Sequence, residues 1–356
     1  MLMNMKLTRD VEISLYGLTR GFLRLILVPI NHVMRARTHR VQIRRLIMKP
    51  TLLIPVLFAG MSCSKLQYPE FEPSSDIVNY DQYDQTRLPI LFDAGVYPYI
   101  EITVQGKVLK LHVDTGDEVS NLSLTSSQMS GLTFEYTDME YKTSDMQGKT
   151  VVKNFFELRD VQIGDYVLEK VLCTESLQRP APYLMDVGVI GWHLLKKFSP
   201  LIDYRNGAIT LYKQGHFPED VNLPNWNTIV LNFEPPLTFS AQIQNYNRVL
   251  QLGMDTGSLM VGSSADNCGV ENWIRIEIPQ NILNQYSITH FMSNPDFPVI
   301  NGVSVTSNGS VIENLDFLYY RTEQPANRDG FLGGDFFFKY RVFVDTPNGV
   351  LYYQSY

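Results

Sequence analysis

From Arg87 onward the chain is built of short runs in which apolar and polar residues alternate, separated by glycine, asparagine and aspartate. A period of two places alternate side chains on one face, which predicts half-buried strands. YIEITV (Tyr99–Val104), the turn Gln105–Lys107 and VLKLHV (Val108–Val113) predict a hairpin. FSAQI (Phe239–Ile243), a polar turn around Asn245–Asn247 and VLQLGM (Val249–Met254) predict a second hairpin of the same kind. Further strands are predicted at VVKNFFEL (Val151–Leu158), within DVQIGDYVLEKVLC (Asp160–Cys173), and at SVIENLDFLYY (Ser310–Tyr320). Helical stretches are expected only at HLLKKF (His193–Phe198) and FFFKY (Phe336–Tyr340). The predicted class is all-β.

Both hairpins end in the same triplet, Asp114-Thr115-Gly116 and Asp255-Thr256-Gly257. At average usage one such triplet arises by chance in roughly one chain in twenty of this length, so two with matching surroundings indicate an internal duplication. GVIGWHLLKKFSPLIDYRNGAITLY (Gly188–Tyr212) follows the first, and GFLGGDFFFKYRVFVDTPNGVLYY (Gly330–Tyr353) follows the second. Asp114 lies 77 positions before Gly191, and Asp255 lies 78 before Gly333. From each glycine to the next shared aspartate, Asp203 or Asp345, is 12 positions, and Asn-Gly follows three residues later in both copies. A solenoid needs at least three shorter units, so two units of this length read as two homologous lobes, residues 87–213 and 227–356. Residues 214–226, with Pro218, Pro224 and Gly215, read as the linker between them.

Charge divides the chain differently. Residues 1–49 carry a net of +8, which leaves −15 for the rest of a chain whose total is −7. An acidic body has no electrostatic footprint for nucleic acid, and no nucleic-acid partner is expected. The basic head, residues 1–47, reads as a leader or as sequence upstream of the start at Met48. MKPTLLIPVLFAGMSCSK (Met48–Lys65) then has the layout of a short export signal, too short to span a bilayer. Its Cys63, after Gly60-Met61-Ser62, resembles the acylated cysteine of the bacterial lipoprotein signal, although Gly60 stands where a leucine is usual. The expectation is a signal over 48–62, a lipid on Cys63, a polar acidic tether over 63–86, and a protein held on the bacterial cell envelope, at the periplasmic face or the cell surface. Cys173 and Cys268 sit at unequal offsets from their triplets and lack metal-ligand spacing, so both are expected as buried free thiols.

A strand ending in Asp-Thr-Gly suits close approach of two chains. Glycine lets the backbone bend and come near its partner, and the threonine hydroxyl both donates and accepts. Two carboxylates brought together cannot both ionise cheaply, so the pair keeps one proton and can activate a water held between them. At these residues the chain resembles the aspartic proteases, in which a strand-borne Asp-Thr-Gly is followed by two apolar residues and a glycine in each lobe. Here the latter elements are Val189-Ile190-Gly191 and Phe331-Leu332-Gly333. DTGSLMVGSS (Asp255–Ser264) and the closing segment of the second lobe are similar to the pepsin type, while the short lobes are nearer to fused retropepsin-like units. The resemblance implies a bilobal acid-protease fold with two β-barrel-like lobes and a cleft between them. It further implies a catalytic pair Asp114 and Asp255, supported by Thr115, Gly116, Thr256, Gly257, Ser258, Gly191 and Gly333. It implies peptide or protein substrates, a monomer, and neither cofactor nor metal.

The first copy departs from this pattern after its glycine, where Asp117 and Glu118 replace the usual small residue. Two further carboxylates beside the pair would raise the cost of ionising it unless they turn away. They support an alternative reading, a surface lipoprotein that keeps the fold to bind peptide or glycan without cleaving it. Tyr141, in the hairpin Met139–Val152 with its Gln147-Gly148 turn, is the candidate for a flap over the cleft, and Asn301–Val311 is a weaker second-lobe candidate. Asp203 and Asp345 are expected to cap their Asn-Gly turns. His193 is expected near the surface or behind the site, and Phe336, Phe337 and Phe338 in core and lobe contacts.

Overall fold

In the computed structural model the two predicted hairpins form and carry their apolar positions inward. The structure describes residues 75–91, 98–117, 120–144, 150–176, 186–219, 223–233, 237–258, 272–290, 298–319 and 328–356. The export signal, Cys63, Glu118, the Gln147-Gly148 turn and Cys268 lie outside them. The first lobe contains β1 (Ser75–Ile77), β2 (Gln85–Pro89), β3 (Tyr99–Val104), β4 (Lys107–Asp114), β5 (Leu122–Leu124), β6 (Phe134–Ser144), β7 (Thr150–Ile163), β8 (Tyr166–Glu175), β9 (Gly188–Gly191), β10 (Phe198–Asp203) and β11 (Ala208–Lys213). The second contains β12 (Asn227–Val230), β13 (Thr238–Ile243), β14 (Val249–Met254), β15 (Asn272–Ile274), β16 (Ser287–His290), β17 (Pro298–Ser307), β18 (Ser310–Tyr319), β19 (Gly330–Leu332), β20 (Tyr340–Asp345) and β21 (Val350–Ser355). Among the described residues, four short α-helices interrupt them: α1 (Ser126–Met129), α2 (Trp192–Leu195), α3 (Gln280–Leu283) and α4 (Gly334–Lys339).

Each lobe closes six strands into a barrel. In the first the ring runs β3-β4-β9-β5-β8-β7, and in the second it runs β13-β14-β19-β15-β18-β17. The correspondence extends to strand direction. β4 pairs parallel with β9 and β14 with β19, while β5 pairs parallel with β8 and β15 with β18. Ile100, Ile102, Leu109, Leu111 and Val113 fill the first barrel, and Phe239, Ala241, Leu250, Leu252 and Met254 fill the second. The Gln105-Gly106 turn has positive φ at both residues, the geometry whose twist matches the flanking strands of a hairpin.

A third sheet joins the lobes, in the order β12-β21-β20-β10-β11-β2. Its halves are equivalent, and β10 meets β20 at the middle through Leu201 opposite Phe343 and Ile202 opposite Val342. Arg341 of β20 pairs across that seam with Asp203 at 3.2 Å, and the hydroxyl of Tyr356 donates to the same carboxylate at 2.9 Å. The linker is more than a spacer. Its Phe217 stacks on Phe343 and Tyr352, and its Trp226 joins Leu201, Tyr212 and Phe343 in a cluster on this sheet.

Two boundaries differ from expectation. The tether was expected to run to residue 86, yet β1 pairs with β8 and β2 begins at Gln85 against β11. Tyr80 anchors the stretch between them by donating to the carbonyl of Lys197 at 2.9 Å. β1 is only three residues long, and the inward positions of β2, Thr86 and Leu88, include a polar residue, so neither strand shows an apolar alternation. In the second lobe, the counterpart of the β6–β7 hairpin is β16–β17. Asn301–Val311 instead forms the β17–β18 turn, equivalent to β7–β8. No helix among the described residues is long and apolar enough to cross a membrane.

Candidate active site

The two triplets sit at the ends of β4 and β14, where the parallel partners β9 and β19 fix their height. Asp114 lies opposite Gly191 in register, and the N–H of Asp255 donates to the carbonyl of Leu332 at 2.9 Å. Gly191 is required because the chain after Asp114 folds back over it. A Cβ there would meet the carbonyl oxygens of Ser120 at 2.2 Å and Asp117 at 2.7 Å. Gly333 donates its N–H to Asn272 Oδ1 at 2.8 Å, which holds β19 beside β15.

Behind the carboxylates the threonines interlock. The N–H of Thr115 donates to Thr256 Oγ1 and the N–H of Thr256 donates to Thr115 Oγ1, both at 3.0 Å. Each hydroxyl then donates across the lobe boundary, Thr115 to the carbonyl of Met254 at 3.1 Å and Thr256 to that of Val113 at 2.8 Å. Both side chains are fully buried, so removing either hydroxyl would strand a buried donor on the other lobe.

The glycines bring the carboxylates face to face with the opposite motif. A Cβ on Gly116 would meet the Asp255 carboxyl carbon at 2.6 Å, and one on Gly257 would meet that of Asp114 at 2.4 Å. Asp114 Oδ1 accepts the N–H groups of Gly116 at 2.9 Å and Asp117 at 3.1 Å. Asp255 is only 5 % exposed, and its Oδ1 has no hydrogen-bond partner among the described residues. Burial holds its carboxyl well above the ordinary value of 3.8, and the negative charge and hydrogen bond of Asp114 add to the shift. The cations Arg328 and Arg275 oppose it. Two carboxylates this close cannot both ionise cheaply, which favours one proton held by the pair.

Asp117 bonds within its own loop. Its Oδ1 accepts the N–H of Ser120 at 3.2 Å, while its backbone carbonyl accepts the N–H of Trp192 at 2.8 Å. The equivalent Ser258 makes the matching backbone bond to Gly334 at 2.9 Å and accepts Trp273 Nε1 at 3.1 Å. The Asp117 carboxylate thus bonds to its own loop through Ser120.

The remaining sequence candidates fall as follows. Asp203 and Asp345 accept both the N–H and the side-chain amide of Asn206 and Asn348, as turn caps. His193 is half-buried on α2. Phe336 and Phe337 are buried, and Phe337 and Phe338 stack on Tyr204 of the first lobe. Tyr141 is buried in β6 against Phe155 and Leu172. Cys173 is a buried free thiol, pushed up by burial.

Arg328 was not singled out from the sequence. It is 7 % exposed and its guanidinium lies along Gly253, where a Cβ would meet Nη1 at 2.4 Å. The aligned repeats do carry a signal for it, since Arg328 precedes Gly330 as Asp186 precedes Gly188, a reversal of charge at equivalent positions. An acid whose pKa is raised on folding stabilises the fold below its unfolded value and loses that contribution as pH climbs to its folded value. Wild-type stability should therefore fall with rising pH above 3.8 on account of Asp255. Arg328→Gln removes an opposing cation, so the fall should extend to higher pH, as urea denaturation across a pH series will show. An unchanged profile would disconnect Arg328 from the pair.

No protein-family model matches the chain, and no curated protein matches it.

Proposed function

We propose that this chain is an aspartic endopeptidase that hydrolyses peptide bonds with a water held between Asp114 and Asp255. The observation that carries the reading is the reciprocal packing of the two motifs, in which each glycine lies against the other lobe's carboxylate and the threonines interlock behind. Asp255, the more buried member, has its carboxyl pushed up by burial and is the proton donor in this reading, with Asp114 as the acceptor. The water oxygen attacks the peptide carbonyl carbon while its proton passes to Asp114 and the proton of Asp255 passes to the carbonyl oxygen. The resulting diol collapses as Asp114 gives its proton to the departing nitrogen and a hydroxyl proton returns to Asp255. Atoms and protons balance without a covalent enzyme intermediate.

Both carboxylates come from one chain, so a monomer suffices. In this reading the substrates are peptides or proteins met at the bacterial envelope, where a lipid on Cys63 would hold the enzyme. The bond of Asp117 to Ser120 supports the catalytic reading over a non-catalytic binder of peptide or glycan, while Glu118, the other acidic neighbour, lies outside the described residues. Mass spectrometry of a peptide library incubated from about pH 3 to pH 8 tests the proposal. Internal bonds should be cut by the wild type and left intact by Asp114→Asn. Equal cutting by both would sink it.

A further inference from the structure

The threonines of the two motifs interlock reciprocally, but Tyr204 adds a bond to the second motif that its counterpart in the repeat does not add to the first. Tyr204 follows Asp203 in the β10–β11 turn and is 1 % exposed. Its hydroxyl donates to the backbone carbonyl of Thr256 in the other lobe at 3.3 Å. Its ring stacks on Phe338 at 5.2 Å and Phe337 at 6.0 Å, both from α4 of the second lobe. The equivalent residue of the second repeat, after Asp345, is Thr346. Its shorter hydroxyl donates to the carbonyl of Phe198 at 2.8 Å instead.

We infer that Tyr204 is a positioning residue for the second motif, fixing the Thr256–Gly257 peptide plane against Asp114. A trans peptide is rigid, so holding its oxygen on one side fixes the direction of the N–H on the other. That N–H belongs to Gly257, the residue on which a Cβ would meet the Asp114 carboxylate. The bond therefore acts where the two lobes' catalytic groups touch, and it comes from the first lobe although it holds the second lobe's loop. Ring stacking keeps the hydroxyl aimed, and burial shields the bond from competing water.

The catalytic part of this inference rests on the reading of Asp114 and Asp255 as a working pair. Tyr204→Phe keeps the ring and its stacking while deleting the donor. It should lower kcat about tenfold while KM stays within about twofold, because a displaced catalytic group costs rate rather than binding. Amide hydrogen exchange at Gly257 should quicken at least about tenfold, with the barrel strands unchanged. Thr346→Val is the control: it removes the equivalent hydroxyl and should leave both kcat and exchange at Gly257 as in the wild type. Wild-type exchange at Gly257 in Tyr204→Phe would overturn the inference, and so would equal responses from the two variants. A wild type that cuts no peptide would sink the peptidase reading alone, and the exchange comparison would then decide for or against Tyr204.

Discussion

Asp255→Asn is expected to abolish peptide cleavage, by about 10³-fold or more, and at the same time to make the protein more stable at neutral pH. The two effects have one cause. Asp255 is buried beside a charged partner, and its proton is held well above the ordinary carboxyl range. Folding at neutral pH must therefore either bind a proton or bury a second negative charge. An amide of the same shape carries no charge, so the penalty vanishes along with the acid that donates to the carbonyl oxygen. Sign and window follow from the raised pKa: wild type and variant should converge toward pH 3.8 and separate as pH rises. Urea denaturation at several pH values and cleavage rates on one peptide measure both halves. Loss of activity accompanied by lower stability at neutral pH would mean that Asp255 is a structural carboxylate.

Gly257→Ala should be nearly as damaging, by steric means. The added carbon would stand 2.4 Å from the carboxyl carbon and Oδ1 of Asp114, closer than side-chain carbons approach. Asp114 is also held by the N–H groups of Gly116 and Asp117, so it cannot withdraw without breaking them. The lobes would have to part, straining the paired threonine bonds behind. A cost of about 2 kcal/mol is expected from overpacking, with a loss of about 10²-fold or more in rate from misplacement of the carboxylate. Thermal unfolding and kcat measured on the same preparation test this. Wild-type behaviour in both would show that the motifs do not touch in solution.

The repeat made the fold legible. Alternation at Tyr99–Val113 and Phe239–Met254 placed the hairpins, and equal spacing to Val189-Ile190-Gly191 and Phe331-Leu332-Gly333 marked the strands that lie beside Asp114 and Asp255. What stayed hidden was of three physical kinds. Strand β1 is only three residues long, and β2 opens on polar Gln85, Thr86 and Arg87, so the inward positions Thr86 and Leu88 leave too short an apolar pattern to read. The linker's Phe217 and Trp226 are isolated aromatics in a segment dominated by turn residues, and only the fold shows the sheet they cover. Arg328 and Tyr204 act through differences between the copies, which comparison for likeness passes over. Asp117 shows the reverse case, in which a conspicuous sequence feature proves to serve a local turn.

The central claim is that one water-activating pair per chain is assembled from both lobes. Titrating cleavage activity with a tight-binding peptide whose central group is a tetrahedral hydroxyl, a mimic of the hydrated transition state, tests it most directly. Activity should fall linearly to zero at one inhibitor per chain. Full cleavage at saturating inhibitor, or no cleavage of any peptide from about pH 3 to pH 8, would contradict it.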